Sequence, residues 1–387
     1  MTRVTGDWLT NDSTQRVMAM LEDAGFLAYA VGGCVRNALL GEAVADVDIA
    51  TNAHPETVTD LAEAAHLKAV PTGIEHGTVT IVCDGEGYEI TTFRADIETD
   101  GRRAVVRFAT DVAEDALRRD FTMNALYADR RGTLIDPLNG LPDLKARRFR
   151  FIQDPDTRIR EDYLRILRFF RFSAWYADPT QGMDPDALAA IAANLDGLGQ
   201  LSAERVGAET LKLLSAPDPL FAVSVMNQTG VLARILPGAT VTGLGPLIAY
   251  ETTQTLPPDP LRRMAVMGFF DGSALRLSKA EQRHLALYQS LIGAPDTLSD
   301  IAYRHGAETA RDLAALRAAS CETAPDPDAL ARIDHAAQAR FPVTARDLMP
   351  DIQGPDLGQT LRDLEAQWIA SDFALDRNAL LARVKKA

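Results

Sequence analysis

The chain has 387 residues, 47% of them apolar and 24% charged, the balance of a globular protein of two or three compact units at about 150 residues each. Forty Lys and Arg against 54 Asp and Glu leave a net charge of −14; this excludes wholesale coating of nucleic acid or anionic membrane, because the long-range field repels phosphate, but allows a local basic groove. Three cysteines exclude a disulfide framework or zinc cluster, and with neither an apolar leader nor a run of about 18 apolar residues the expectation is a soluble cytoplasmic protein without membrane contact.

In chain order, residues 1–147 read as a mixed α/β head. Ala28–Val31 is a short apolar strand running into Gly32-Gly33, and a helix follows with Val35, Leu39 and Leu40 on one face and Gly41 at its end. Val44 to Ala50 is a second strand, and Pro55 opens a helix that runs to about His66. Residues 77–83 and 87–93 flank Asp84-Gly85-Glu86, a hairpin signature, and Leu126 to Asp136, broken at Arg131-Gly132, is another. Short strands with few helices between them predict a small antiparallel or mixed sheet, not a doubly wound one. From about residue 150, amphipathic Ala- and Leu-rich segments (187–195, 203–214, 261–270, 279–291, 310–318) alternate with Pro, Gly and Asp punctuation. The predicted fold class is therefore α+β: a small mixed-sheet head, then an all-α neck over 148–216 and an all-α body and tail over 217–387.

Five constellations carry chemistry. Gly32-Gly33 lies between a strand and a helix, with Arg36 in the first helical turn. The pair forms either a tight turn or an anion cradle, where backbone N–H groups meet phosphate without Cβ interference. Asp46-Val47-Asp48 puts two carboxylates on one face of an extended segment, a surface-turn pattern or a hard-oxygen site for Mg2+. Glu89 is a third carboxylate, on the strand face that also carries Phe93. In Arg118-Arg119-Asp120-Phe121-Thr122-Met123-Asn124-Ala125, the Asn between apolar neighbours needs partners if buried and suggests an organising role. Finally, Asp162, Arg165, Arg168 and Arg171 form an i, i+3 row on a helix whose core stripe is Tyr163, Ile166, Leu167, Phe170 and Ala174. Lys145 to Arg171 carries nine basic and four acidic residues, the clearest electropositive segment of an acidic chain.

The order of these motifs, almost continuous from Ala28 to Phe172 and weaker to about Leu236, resembles the class II tRNA nucleotidyltransferase/poly(A) polymerase family of the polymerase-β-like superfamily. The resemblance implies an enzyme that adds C, C and A from CTP and ATP to the 3′ end of tRNA without a nucleic-acid template. It implies a triphosphate held at Gly32, Gly33 and Arg36, two Mg2+ ions on the catalytic pair Asp46 and Asp48, and Glu89 as the third catalytic carboxylate. Arg119 then matches a nucleotide contact, and Asp162, Arg165, Arg168 and Arg171 the nucleotide-recognition helix. Cytosine and adenine each present an amino donor beside a ring-nitrogen acceptor, so an Asp162 acceptor next to an Arg165 donor complements both, whereas uracil and guanine invert the pattern. Residues 95–112 match the family's flexible loop, and the helical body is expected to hold the tRNA acceptor stem and elbow. Asn37 and Gly207 depart from the family, which usually has Asp and a longer polar residue there. Alternatives sharing the chemistry are a poly(A) polymerase and an enzyme adding only the terminal A; a chain ending in no more than Arg383-Val384-Lys385-Lys386-Ala387 lacks the strongly basic extension common in the former.

Overall fold

The computed structural model describes residues 2–100, 103–324, 326–349 and 351–384, and the chain divides into two compact units, Met1–Ile235 and Leu236–Ala387. The first opens with α1 (Asp7–Thr10) and α2 (Asp12–Asp23), the latter capped by the Asn11 side chain on the Ser13 N–H and burying Val17, Met18 and Leu21. Then come β1 (Ala28–Val31), α3 (Gly33–Leu40), β2 (Asp48–Thr51), α4 (Pro55–Ala64) and β3 (Lys68–Gly73). The hairpin β4 (Thr78–Cys83) and β5 (Glu86–Thr92) turns through Asp84 and Gly85, both at positive φ, as expected for a two-residue connection. β6 (Arg94–Asp100) and β7 (Arg103–Phe108) form a separate antiparallel ribbon where the sequence suggests a loop; Gly101 and Arg102 lie outside the described residues.

α5 (Val112–Leu117), β8 (Tyr127–Ala128) and β9 (Leu134–Ile135) complete the head, giving a seven-stranded sheet ordered β3-β4-β5-β2-β1-β8-β9. Every pairing is antiparallel except β2 with β5, so the sheet is mixed, as expected. One apolar cluster joins α2 and α4 to the sheet through Val17, Met18, Ile49, Val58, Val79 and Ile90; a second gathers Val31, Ala50, Phe93, Ala116 and Tyr127.

α6 (Leu141–Lys145) leads to α7 (Pro155–Glu161), α8 (Leu164–Tyr176), α9 (Pro185–Ala193), α10 (Ala203–Leu214), α11 (Leu220–Gln228) and α12 (Val231–Ile235). α8 is fixed to the motif before β8 by aromatic packing: Phe121 touches Phe149, Phe151, Phe169 and Phe172, with Phe149 stacked on Phe172 and Phe151 on Phe169. This buries α8 nearly all round, Phe169 and Phe172 included, which a single core stripe does not anticipate.

Among the described residues of the second unit every regular element is a helix: α13 (Leu244–Thr253), α14 (Pro260–Val266), α15 (Lys279–Leu291), α16 (Leu298–His305), α17 (Ala307–Cys321), α18 (Ala329–Gln338), α19 (Ala345–Leu348), α20 (Pro355–Ala370) and α21 (Arg377–Leu381). Its core includes an ion cluster. Arg262 and Arg263 both bond Glu251, and Arg262 also reaches Asp312, which accepts the Tyr288 hydroxyl at 2.6 Å. Among the described residues no helix is long and apolar enough to cross a membrane.

Candidate active site

β1 ends at the glycine pair. Gly32 sits at φ 72°, ψ −115°, a conformation that a Cβ disfavours, and its N–H donates to the Leu126 carbonyl on the way into β8 (3.1 Å). A Cβ there would lie 3.4 Å from Arg119 Nη1. α3 starts at Gly33, so its unpaired N–H groups open at the turn. The helix ends at Gly41 in the left-handed region, as its position predicts.

The strand carrying the carboxylate pair is shorter than the sequence suggests. Pairing with β5 begins only at Asp48 and with β1 at Ile49, so Asp46 lies in the exposed segment before β2. The alternation survives: Val47 turns in against the core while Asp46 and Asp48 turn out. Asp48 and Glu89 are direct partners across the parallel β2–β5 register, which sets the third carboxylate beside the pair. The Asp48 carboxyl is raised above its ordinary value, first by enclosure and next by the charge of Glu89, with Arg119 opposing and Asp46 adding to the rise. Among the described residues no three His, Cys, Asp or Glu side chains form a ready-made metal cage. Crowded carboxylates with an open side are nevertheless the donor set Mg2+ accepts when phosphate and water complete its shell, so the residues fit that ion. Cys34, buried under the turn with its thiol pushed up to about 11, is inert.

Arg36 is 5% exposed, and its guanidinium is held by neutral oxygens: Nη1 donates to Asn124 Oδ1 at 2.7 Å, Nη2 to Asn37 Oδ1 at 2.9 Å and to the Tyr176 hydroxyl at 3.0 Å. It also lies over the Tyr176 ring, 4.2 Å from the centroid. Burial lowers its pKa. Asn37, the departure from Asp, thus grips Arg36 through its carbonyl while its amide donates to the Ala43 carbonyl (2.8 Å), a bond that a carboxylate cannot make. Asn124 is buried with both ends engaged, its amide donating to Asp120 Oδ1 at 3.0 Å, and Asp120 in turn accepts from Arg168. Its position between Arg36 and Asp120 is the organising role that the sequence suggests.

The recognition row differs from expectation. Asp162 is extended (φ −155°, ψ 105°) between α7 and α8, so it is not on the helix; its Oδ1 accepts the Leu164 N–H, and this competition with helical bonding breaks the helix there. Its Oδ2 accepts from Arg205 Nη2 at 2.6 Å, whereas Arg165 pairs with Glu161. Asp162 and Arg165 therefore each hold another partner in the structure. Arg171 bonds Glu209 on α10 at 2.6 Å and lies 3.9 Å from the Phe172 ring centroid. Sequence reasoning passes over Tyr176, Asp115 and Tyr127, and it meets Arg205 and Glu209 only within Glu204-Arg205-Val206-Gly207-Ala208-Glu209, without a partner for either. Arg205 and Glu209 sit in the motif around Gly207, but what they bond depends on α10 packing on α8.

Residues 28–150 match the family described as the poly A polymerase head domain, and residues 182–241 match the probable RNA and SrmB-binding site of polymerase A. The chain is 32% identical over 375 residues to a mouse protein named CCA tRNA nucleotidyltransferase 1, mitochondrial, covering 92% of this chain and 86% of the relative. It is 43% identical over 217 residues to the CCA-adding enzyme of Levilactobacillus brevis, a match spanning 56% of this chain and about half (53%) of that one. The crystal structure of the Bacillus stearothermophilus CCA-adding enzyme in complex with CTP superposes with a TM-score of 0.72 at 28% identity, covering 93% of each chain. A small mixed-sheet head followed by a helical body is the fold of a nucleotidyltransferase. More closely, the chain belongs to the class II tRNA nucleotidyltransferase/poly(A) polymerase family.

Proposed function

We propose that this protein is a CCA-adding enzyme, extending tRNA 3′ ends with C, C and A from CTP and ATP. The observation that carries this reading is the match to the mouse enzyme, which runs over head and helical body together, 92% of this chain, and not over the head alone. The 3′-hydroxyl oxygen attacks the α-phosphorus, and pyrophosphate leaves. Asp46 and Asp48 would hold two Mg2+ ions, which when bound stabilise charge on the attacking and leaving oxygens. Glu89, beside Asp48, takes the hydroxyl proton. The backbone at Gly32 and Gly33, with Arg36 and Arg119, binds the triphosphate and aligns it for in-line transfer.

Base choice falls to α8 and the residues before it. The Asp162 carboxylate and Arg165 guanidinium, released from Arg205 and Glu161, meet the amino donor and ring-nitrogen acceptor of C or A. Uracil and guanine leave two groups unpaired, at about 1–3 kcal/mol each. Arg168 and Arg171 complete this surface, the neck 148–216 presents it to the head 1–147, and residues 217–387 hold the acceptor stem and elbow of tRNA by shape and phosphate contacts. A cytoplasmic site of action belongs to the same proposal.

The test uses three matched tRNAs ending before CCA, after C and after CC, incubated with CTP, ATP and Mg2+ and read by 3′-end sequencing. Ordered addition that stops at CCA on all three supports the proposal. Addition of A alone to the CC-ended tRNA makes it an A-adding enzyme, and long A tails on unrelated RNA make it a poly(A) polymerase.

A further inference from the structure

Arg119 differs from its neighbour Arg36 in how it is held. Its Nε donates to the Tyr127 hydroxyl at 3.0 Å and to Asp115 Oδ2 at 3.2 Å, and its Nη2 reaches the same Asp115 oxygen at 3.1 Å. Tyr127 closes the triangle by donating its own hydroxyl to Asp115 Oδ2 at 2.8 Å. One edge of the guanidinium is thus fully clamped, and Nη1 lies at the opposite corner, against the Gly32 turn. The clamp itself is buried: Tyr127 is 0% and Asp115 1% exposed, and the other Asp115 oxygen accepts the Arg94 N–H at the start of β6 at 3.4 Å. The sheet fixes its place as well. Tyr127 is the register partner of Val31, the residue before Gly32, so one antiparallel pairing sets both the turn and the phenol beside it.

We propose that Tyr127 and Asp115 are positioning residues that hold the Arg119 guanidinium with Nη1 directed at the Gly32 turn, so that the incoming triphosphate meets a donor already in place; this rests on the nucleotidyl-transfer reading above. A free arginine side chain loses rotamer freedom when it grips phosphate, and a clamp on its far edge removes that cost before the ligand arrives. Burial keeps the Tyr127 phenol protonated, its pKa raised above the ordinary value, so it remains a donor to Asp115. The clamp holds the arginine assigned to the triphosphate and no group assigned to the base, so its effect is the same for CTP and ATP.

Tyr127→Phe keeps the ring and removes only the hydroxyl. Equilibrium affinity for CTP and for ATP, measured without tRNA, is expected to fall about three- to tenfold, the cost of ordering one long side chain, with KM rising by the same factor for both and kcat within about twofold. In an Arg119→Ala background the same substitution changes nothing further, a non-additivity that loss of general packing would not produce. Asp115→Asn provides the parallel cycle and decides the question if Tyr127→Phe does not fold. Unaltered affinity in a folded Tyr127→Phe protein, or an equal loss with and without Arg119, would overturn the proposal. Wild-type protein that binds neither nucleotide and extends no tRNA would overturn the underlying reading of the site, separately from the clamp.

Discussion

Each compact unit buries arginine, and Arg36 in the first is held differently from Arg262 and Arg263 in the second. In the second, Arg262 and Arg263 are 3% and 1% exposed and close on Glu251 and Asp312, with Arg262 also bonding the Pro257 carbonyl; charge is matched within the core. In the first, Arg36 is equally buried but is held by two amides and a phenol, so its charge is not matched by any carboxylate it touches. A buried cation costs several kcal/mol unless an anion compensates it, and the second unit supplies that anion internally. On the reading proposed above, the Arg36 charge is left for the phosphates of the substrate to match, whereas the cluster in the second unit is complete in itself.

The largest expected effect breaks the first side of this contrast. Asp48→Ala should lower nucleotide incorporation by about three orders of magnitude or more, the scale of losing charge stabilisation at both reacting oxygens. Because that carboxylate is enclosed and crowded by Glu89 rather than paired, its removal should leave thermal melting unchanged or slightly higher. Glu251→Ala breaks the other side. Arg263 loses the carboxylate that takes its Nε and Nη2 and Arg262 loses one of its two carboxylates, so denaturant titration should show a loss of about 3–5 kcal/mol in the second unit. The smallest effect sharpens the boundary between the two kinds of site. Burial pushes the Asp120 carboxyl up, but Arg168, the Asn124 amide and the Phe121 N–H outweigh it and hold it down at about 2. A depressed folded pKa contributes stability that is complete above the ordinary carboxylate value and disappears as pH falls toward 2. Asp120→Asn should therefore cost about 2 kcal/mol at neutral pH and leave stability less sensitive to pH between about 4 and 2, as read by acid titration of the melt.

Local signals in the sequence were sufficient for much of this. The Gly32-Gly33 turn, the Gly41 stop, the Asp84-Gly85 hairpin and the helices over 203–214 and 279–291 all follow from residues within one or two turns of each other. Asn124 betrayed itself as a polar residue among apolar ones. What escaped depends on distant partners. β3 is an edge strand interrupted by Pro71 and half exposed, so its pattern is faint. The parallel register that brings Glu89 to Asp48 joins strands about forty residues apart, and no spacing rule announces it. The break at Asp162 is a competition between a side chain and the helix that only the neighbouring packing decides. Tyr127 reads as one more aromatic in a short strand until β1 lies beside it.

The proposed selection of C and A by the protein's own side chains is tested most directly by equilibrium binding of CTP, ATP, UTP and GTP in the presence of Mg2+ and the absence of any RNA, for wild type and Asp162→Ala. Wild type is expected to prefer CTP and ATP by about tenfold or more, and Asp162→Ala to lose most of that preference while retaining triphosphate affinity. Four equal affinities in wild type, or undiminished discrimination against UTP in Asp162→Ala, would contradict it.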